Sequence, residues 1–332
     1  MRNQVLDSAK AAAAYSVVLL HIRFPGETGN VINAAARFAV PFFFLISGYF
    51  CYRESREAVL KRMPGKVKHI LYLAFLALPF YIVWECIQKG IEGESVGDWL
   101  KNLLVPHNIE DFVKYNSTTP VKPHLWFLFA LLYCYLLFWA VEKLRLHKIA
   151  YALIPVLLFC NFWMDGRSGE AGNTYRIMEF RNYLFTGFPF FMLGHFIHKE
   201  KGKLQKRVPS AVWAVLIAAG AGLSIAEYFL LGRRELFAGS VILSVSFFLF
   251  AVFQEGKKGP EVLGWIGAKY TFAIYVLHMA VGDIWKDLAL LVHGQESNLY
   301  LWTRPVMVCI LTTLLAAVLN SAKGRIVKFS EK

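Results

Sequence analysis

Three side chains in the stretch 5–22, VLDSAKAAAAYSVVLLHI, are placed to do chemistry together: Asp7, Lys10 and His21. Lys10 and His21 stand eleven residues apart. At about 100° per residue that is close to three turns, so both point to one face, roughly 16 Å apart along the axis. Asp7 lies one turn before Lys10 on the same face. An imidazole titrates near neutral pH and can take a proton from a hydroxyl as general base. Lys10 can line the path of an anionic substrate or balance Asp7. Ionisable groups inside an apolar helix usually face a protein interior or a wet cavity. The plainer reading is a helix whose Lys10 snorkels to the cytosol and whose His21 closes the outer end.

The elements that must position these groups are membrane helices. The stretch itself spans roughly 27 Å as a helix, just enough to cross a bilayer core. Of 332 residues, 57% are hydrophobic and only 18% charged, with a mean hydropathy of +0.44. That is the composition of an integral membrane protein. The net charge of +13 comes from short basic clusters between apolar runs, a membrane-topology pattern rather than a nucleic-acid surface. Ten spans can be drawn, at 5–22, 34–52, 69–87, 124–141, 149–164, 182–198, 210–230, 236–253, 268–292 and 304–322. Lys and Arg number six in 53–68, three in 143–148, five in 199–207 and four after the tenth span. The alternate loops are poorer or offset by acids, so both termini are expected in the cytosol. The expected fold is thus an all-α polytopic bundle of about ten helices in a single domain, 1–332.

The two long outer segments, 89–123 and 165–181, carry turn residues: Pro106 and Asn116 to Pro120 in the first, Gly166, Gly169, Gly172 and Asn173 in the second. They read as loops. The five cysteines sit in apolar runs without a C-x-x-C pair, which argues against disulfides, metal clusters and a thiol nucleophile. No Walker loop, G-x-G-x-x-G, G-x-S-x-G or metal-ligand spacing occurs, so no metal or bound cofactor is expected. The N-terminus lacks a small-residue cleavage site after its apolar core.

Other polar groups fall near the ends of spans. Lys61, Arg62, Lys66 and Lys68 read as a basic cytosolic loop before the third span, suited to a polyanionic ligand such as a nucleotide phosphate, or to the anionic lipid surface. Arg37 opens the second span and Glu85 lies late in the third, without an evident partner. His124 and Trp126 begin the fourth, where an aromatic belt is equally at home. Arg181 and Asn182 stand at the mouth of the sixth. Tyr275 and His278 share a face deep in the ninth. Ser47-Gly48 permits close helix approach.

Several of these stretches fit one pattern. Leu6-Asp7-Ser8-Ala9-Lys10, with His21 eleven residues on, resembles the first helix of the bacterial membrane-bound acyltransferase-3 family, which typically reads Leu-Asp-x-Leu-Arg followed by such a histidine. Residues 37–49, RFAVPFFFLISGY, resemble its second-helix signature, and His124-Leu125-Trp126-Phe127-Leu128 its fourth. Phe190-Phe191-Met192-Leu193-Gly194 and Tyr275-Val276-Leu277-His278 are similar to later motifs. The resemblance implies a ten-helix bundle in the bacterial cell membrane that moves an acyl group, usually acetyl, from cytosolic acyl-CoA to a hydroxyl of an extracytoplasmic sugar. It implies that His21 is the catalytic base, with Lys10 in the place of the family's arginine beside Asp7. Lys61, Arg62, Lys66 and Lys68 would take the donor side. Arg37, Glu85, His124, Trp126, Arg181, Asn182, Tyr275 and His278 would be acceptor contacts. An acyl-histidine route stays open.

The partners so implied are acyl-CoA, a carbohydrate acceptor and the lipid bilayer, with no nucleic acid; homo-oligomerisation is left open. A transporter or flippase of the same architecture, exporting an amino acid or a polysaccharide, is the second reading. A non-catalytic scaffold is the third, and buried Lys10, His21 and His278 would serve it poorly.

Overall fold

The computed structural model describes residues 2–168 and 175–330, so Gly169, Gly172 and Asn173 of the second outer segment lie outside the described residues. Those residues are helical, with no strand among them. In chain order the helices are α1 (Gln4–His21), α2 (Gly26–Ala36), α3 (Ala39–Tyr49), α4 (Arg56–Glu92), α5 (Val96–Leu103), α6 (Pro106–Tyr115), α7 (Trp126–Leu144) and α8 (His147–Arg167). They continue with α9 (Ile177–Phe180), α10 (Phe188–Arg207), α11 (Ser210–Leu231), α12 (Ala238–Phe253), α13 (Glu261–Lys269), α14 (Thr271–Leu291) and α15 (Asn298–Ser330). A 3₁₀ turn, Pro123–Leu125, precedes α7 and a π turn, Tyr183–Gly187, precedes α10.

Among the described residues, six helical segments are long and apolar enough to cross a membrane: Gly26–Tyr49, Arg56–Glu92, Pro123–Leu144, His147–Arg167, Ser210–Leu231 and Asn298–Ala322. The other four expected spans coincide with α1, α10, α12 and α14. Of these α12 is apolar but only 16 residues long. The second expected span breaks at Arg37 and Phe38, where α2 ends and α3 begins. Pro41 sits in the first turn of α3, where its missing N–H costs nothing.

Two segments read as loops are helical. The basic run 61–68 lies within the first turns of the 37-residue α4, capped at its start by Ser55. Its Lys and Arg are good helix formers, and they outweigh Pro64 and Gly65. The outer segment 89–123 folds its middle into α5 and α6, because Ser95 caps one and Pro106 opens the other at a position where proline is favoured.

Packing divides the chain into two units, Met1–Phe43 with Val208–Lys332, and Phe44–Arg207. In the first, α1 packs against α2 and α12 to α15. Its run of alanines makes this possible: Ala11, Ala13 and Ala14 are at most 1% exposed, and nothing larger would admit neighbours so close. At Gly267 of α13 a Cβ would stand 1.7 Å from the Asp7 carbonyl oxygen, so α13 and α1 touch backbone to backbone. In the second unit the far half of α3 meets α10 the same way. A Cβ on Gly48 would lie 1.8 Å from the Phe191 carbonyl oxygen, and one on Gly194 would lie 2.0 Å from that of Leu45. Ser47-Gly48 is therefore a packing site.

Gly267→Ala should cost about 1–3 kcal/mol, since the added methyl must push α13 off α1. Gly202→Ala, where a Cβ meets nothing within 4 Å, should gain about 0.5–1 kcal/mol from helix propensity. Thermal unfolding in detergent measures both, and equal melting of Gly267→Ala and wild type would refute the backbone contact.

Candidate active site

Asp7 is buried and shared by two cations. Arg2 Nε lies 2.5 Å from Oδ2 and Lys10 Nζ 2.6 Å from Oδ1. Each carboxylate oxygen thus has its own charge-assisted donor. Arg2 reaches further and donates from Nη2 to the Gly264 carbonyl at 2.9 Å, which ties the triad to α13. Asn3 caps α1 by accepting from the Leu6 N–H, and its Nδ2 donates to the Ala251 carbonyl at 2.9 Å. The start of α1 is therefore pinned from two sides. A cleft of about 640 Å³ adjoins this end, lined by Arg2, Gln4, Glu261 and Trp265.

At the other end of α1, His21 meets His278 of α14, ring centroids 5.3 Å apart and planes at 40°. His278 is fully buried. Its Nδ1 lies 2.8 Å from the Tyr275 carbonyl oxygen and 3.2 Å from that of Ile274. Carbonyl oxygens only accept, so this assigns the proton to Nδ1 and leaves the lone pair of a neutral ring on Nε2. Close packing makes the pair possible: a Cβ on Gly282, one turn beyond His278, would stand 2.8 Å from Ile22 Cδ1. Asn33 of α2 donates to the Leu20 carbonyl at 3.2 Å, holding the last turn of α1.

Arg37 is not a snorkelling side chain. Its Nη1 lies 2.7 Å from Glu235 Oε2, and both side chains are mostly buried. Arg23, Arg37 and Arg233 are close enough to act on one another. Burial first, then the charges of Arg37 and Arg233, hold the Arg23 guanidinium below its usual value. A basic rim therefore stands two residues from His21.

The remaining acceptor candidates gather in the second unit. Arg181 stands over the Trp126 ring at 5.9 Å. Asn116 donates to the Trp126 carbonyl at 3.1 Å and accepts from the Tyr183 N–H at 2.9 Å, which links the two stretches. His124 is buried edge-on against Tyr81, centroids 4.9 Å apart. Two candidates have structural employment. Asn182 donates to the Met178 and Glu179 carbonyls and accepts from the Leu184 and Phe185 N–H groups, so its amide is consumed in capping the π turn. Glu85 is paired, with Oε1 2.6 Å from Lys122 Nζ. Lys122 lies 37 residues away, in a segment whose return path the sequence pattern does not show.

The four donor candidates separate on α4. At about 100° per residue, Arg62 and Lys66 fall within 40° of each other beside the buried stripe of Val59, Met63 and Ile70. Lys61 and Lys68 point away from that stripe; of the four, Lys66 is half-buried and the other three are exposed. Lys66 also reaches Tyr135, with Nζ 5.5 Å from the ring centroid. Arg2 and Asp283, whose charge acts on His278, are the groups that spacing alone did not single out. Arg2 precedes the helix, and Asp283 is five residues from His278, so neither shares a helical repeat with its partner.

The chain belongs to the acyltransferase-3 family: the model of its acyltransferase domain matches residues 3–321, nearly the whole length. A serine/alanine racemase of Enterococcus gallinarum is 29% identical over 118 residues, 32% of this chain and 16% of the racemase. The chain thus spans a small part of that relative's length. No solved structure matches.

Asp7→Asn should destabilise the protein by about 1–3 kcal/mol, because Lys10 and Arg2 lose a buried counter-charge. Asp7→Asn combined with Lys10→Met should recover part of that loss. If Asp7→Asn melts with wild type in detergent, the triad does not hold α1.

Proposed function

We propose that this membrane acyltransferase carries an acyl group, most simply acetyl, from cytosolic acyl-CoA to a hydroxyl of an extracytoplasmic sugar or surface polysaccharide. In this reading it sits in the bacterial inner membrane with ten spans and both termini in the cytosol. The observation that carries it is the His21–His278 contact on a helix whose other end holds Lys10 against Asp7, in a chain of the acyltransferase-3 family. His21 accepts the proton of the acceptor hydroxyl, and the oxygen attacks the thioester carbonyl. The carbon–sulfur bond then breaks, and the CoA thiolate leaves with the proton from His21. His278, whose ring lies against it, stabilises the imidazolium that His21 becomes. Arg62 and Lys66, side by side on α4, hold the donor phosphates. Arg23 and Arg37 orient the acceptor.

In vesicles supplied with labelled acyl-CoA, His21→Ala and His21→Gln should lower transfer about 10²–10⁴-fold. Undiminished transfer by folded variants removes His21 from the mechanism. Arg62→Ala and Lys66→Ala should raise the donor KM and flatten its salt dependence. Lys61→Ala and Lys68→Ala should change it less, and the reverse order would overturn the donor assignment.

The match to a protein named for serine and alanine favours one alternative, export of a small amino acid by the same bundle. Salt-sensitive binding of CoA separates the two: the enzyme requires it and a transporter does not.

A further inference from the structure

Where α7 turns into α8, three ionisable side chains from three helices meet in the second unit. Glu142 comes from the last turn of α7, His147 opens α8 and His195 comes from α10. One ligand atom from each lies within 4.8 Å of the other two. His147 Nε2 is 2.9 Å from Glu142 Oε1, and His195 Nε2 is 3.9 Å from the same oxygen. Glu142 and His195 are each 3% exposed.

The nearby cations make other contacts than with the Glu142 carboxylate, although the charge of Lys199 acts on His195. Arg56 donates from Nε to the Glu142 carbonyl at 2.9 Å and from Nη2 to that of Lys143 at 3.0 Å, closing the end of α7. Arg53 donates to the Tyr52 carbonyl at 2.5 Å. Lys199 stands over the Tyr151 ring, 5.6 Å from its centroid. The ion pairs of the Glu142 carboxylate are with the two imidazoles. A cavity of about 240 Å³ opens onto the group.

We propose that Glu142, His147 and His195 bind one divalent transition-metal ion of the zinc class. Two imidazoles and a carboxylate are a common three-ligand set for such an ion. With metal–ligand bonds of about 2.0–2.2 Å, tetrahedral ligand atoms stand roughly 3.3 Å apart, and the separations of 2.9 and 3.9 Å bracket that value. Two nitrogen donors disfavour calcium and magnesium, which take oxygen. Tyr151 supplies an outer partner: its hydroxyl lies 2.8 Å from His195 Nδ1. Accepting from Nδ1–H, it orients the ring and leaves Nε2 to the ion. The fourth position faces the cavity and takes water or an anionic oxygen. The ion would tie α7, α8 and α10 together, independently of acyl transfer.

The full chain, purified in detergent and stripped with chelator, is titrated with Co(II). One Co(II) per chain with the visible bands of tetrahedral coordination is expected, bleached by added Zn(II). Glu142→Gln and His195→Ala should abolish the bands, and Tyr151→Phe should weaken binding about 10–100-fold. Should the buried positions fail to fold when changed, His147→Ala, at a side chain 27% exposed, carries the test. No stoichiometric tetrahedral Co(II), or bands unaltered in folded His147→Ala, overturns the site. Neither result depends on transfer activity, so this inference and the acyl-transfer reading fail separately.

Discussion

Asp7 is 7% exposed, and a carboxylate so buried has little water to solvate it. Left alone, such a charge costs several kcal/mol. Arg2 and Lys10 remove that cost by taking one oxygen each. They can do so only because α13 lies against the first turns of α1 and receives the rest of Arg2 at the Gly264 carbonyl. Gly267 sets that approach. With the base of α1 immobilised, a rigid helix three turns longer delivers His21 to α14 at a fixed azimuth. The position of His21 thus depends on an ion triad at the opposite end of the same helix.

Glycines recur at each place where a functional side chain must be brought to its partner. Gly282 lets α14 close on Ile22 beside the histidine pair, and Gly48 with Gly194 seats α3 on α10, the helix that carries His195. In membranes there is little hydrophobic gain from helix association, so packing and polar contacts must supply it. The polar contacts here are seldom solitary. Asn182 uses its whole amide on one π turn, and Asn116 spans two segments. Ser224 and Ser240 hydroxyls lie 3.2 Å apart between α11 and α12.

Sequence reading succeeded where the signal is local. Each expected span falls on helical structure, the second on two successive helices, because hydropathy and helix length are one-dimensional properties. The Lys10–His21 spacing is likewise a property of one helix. The basic run 61–68 is the exception: its charge density suggests a loop, yet Lys and Arg propagate a helix well. The partner of Glu85, Lys122, comes from the returning chain and is not legible in the sequence, whereas Asn182 spends its amide on backbone within four residues of itself.

From composition, periodicity and motif order alone came the all-helical class and the family. These follow from patterns that repeat every few residues and need no neighbour to be read. The tertiary structure decided which charges meet. Asp7 with Arg2, His21 with His278, Arg37 with Glu235, and Glu142 with His147 and His195 are contacts that helical periodicity does not encode. The reason is geometric: a helix fixes the direction of its own side chains, but the partner each one finds depends on which helix packs there and how closely its small residues let it approach.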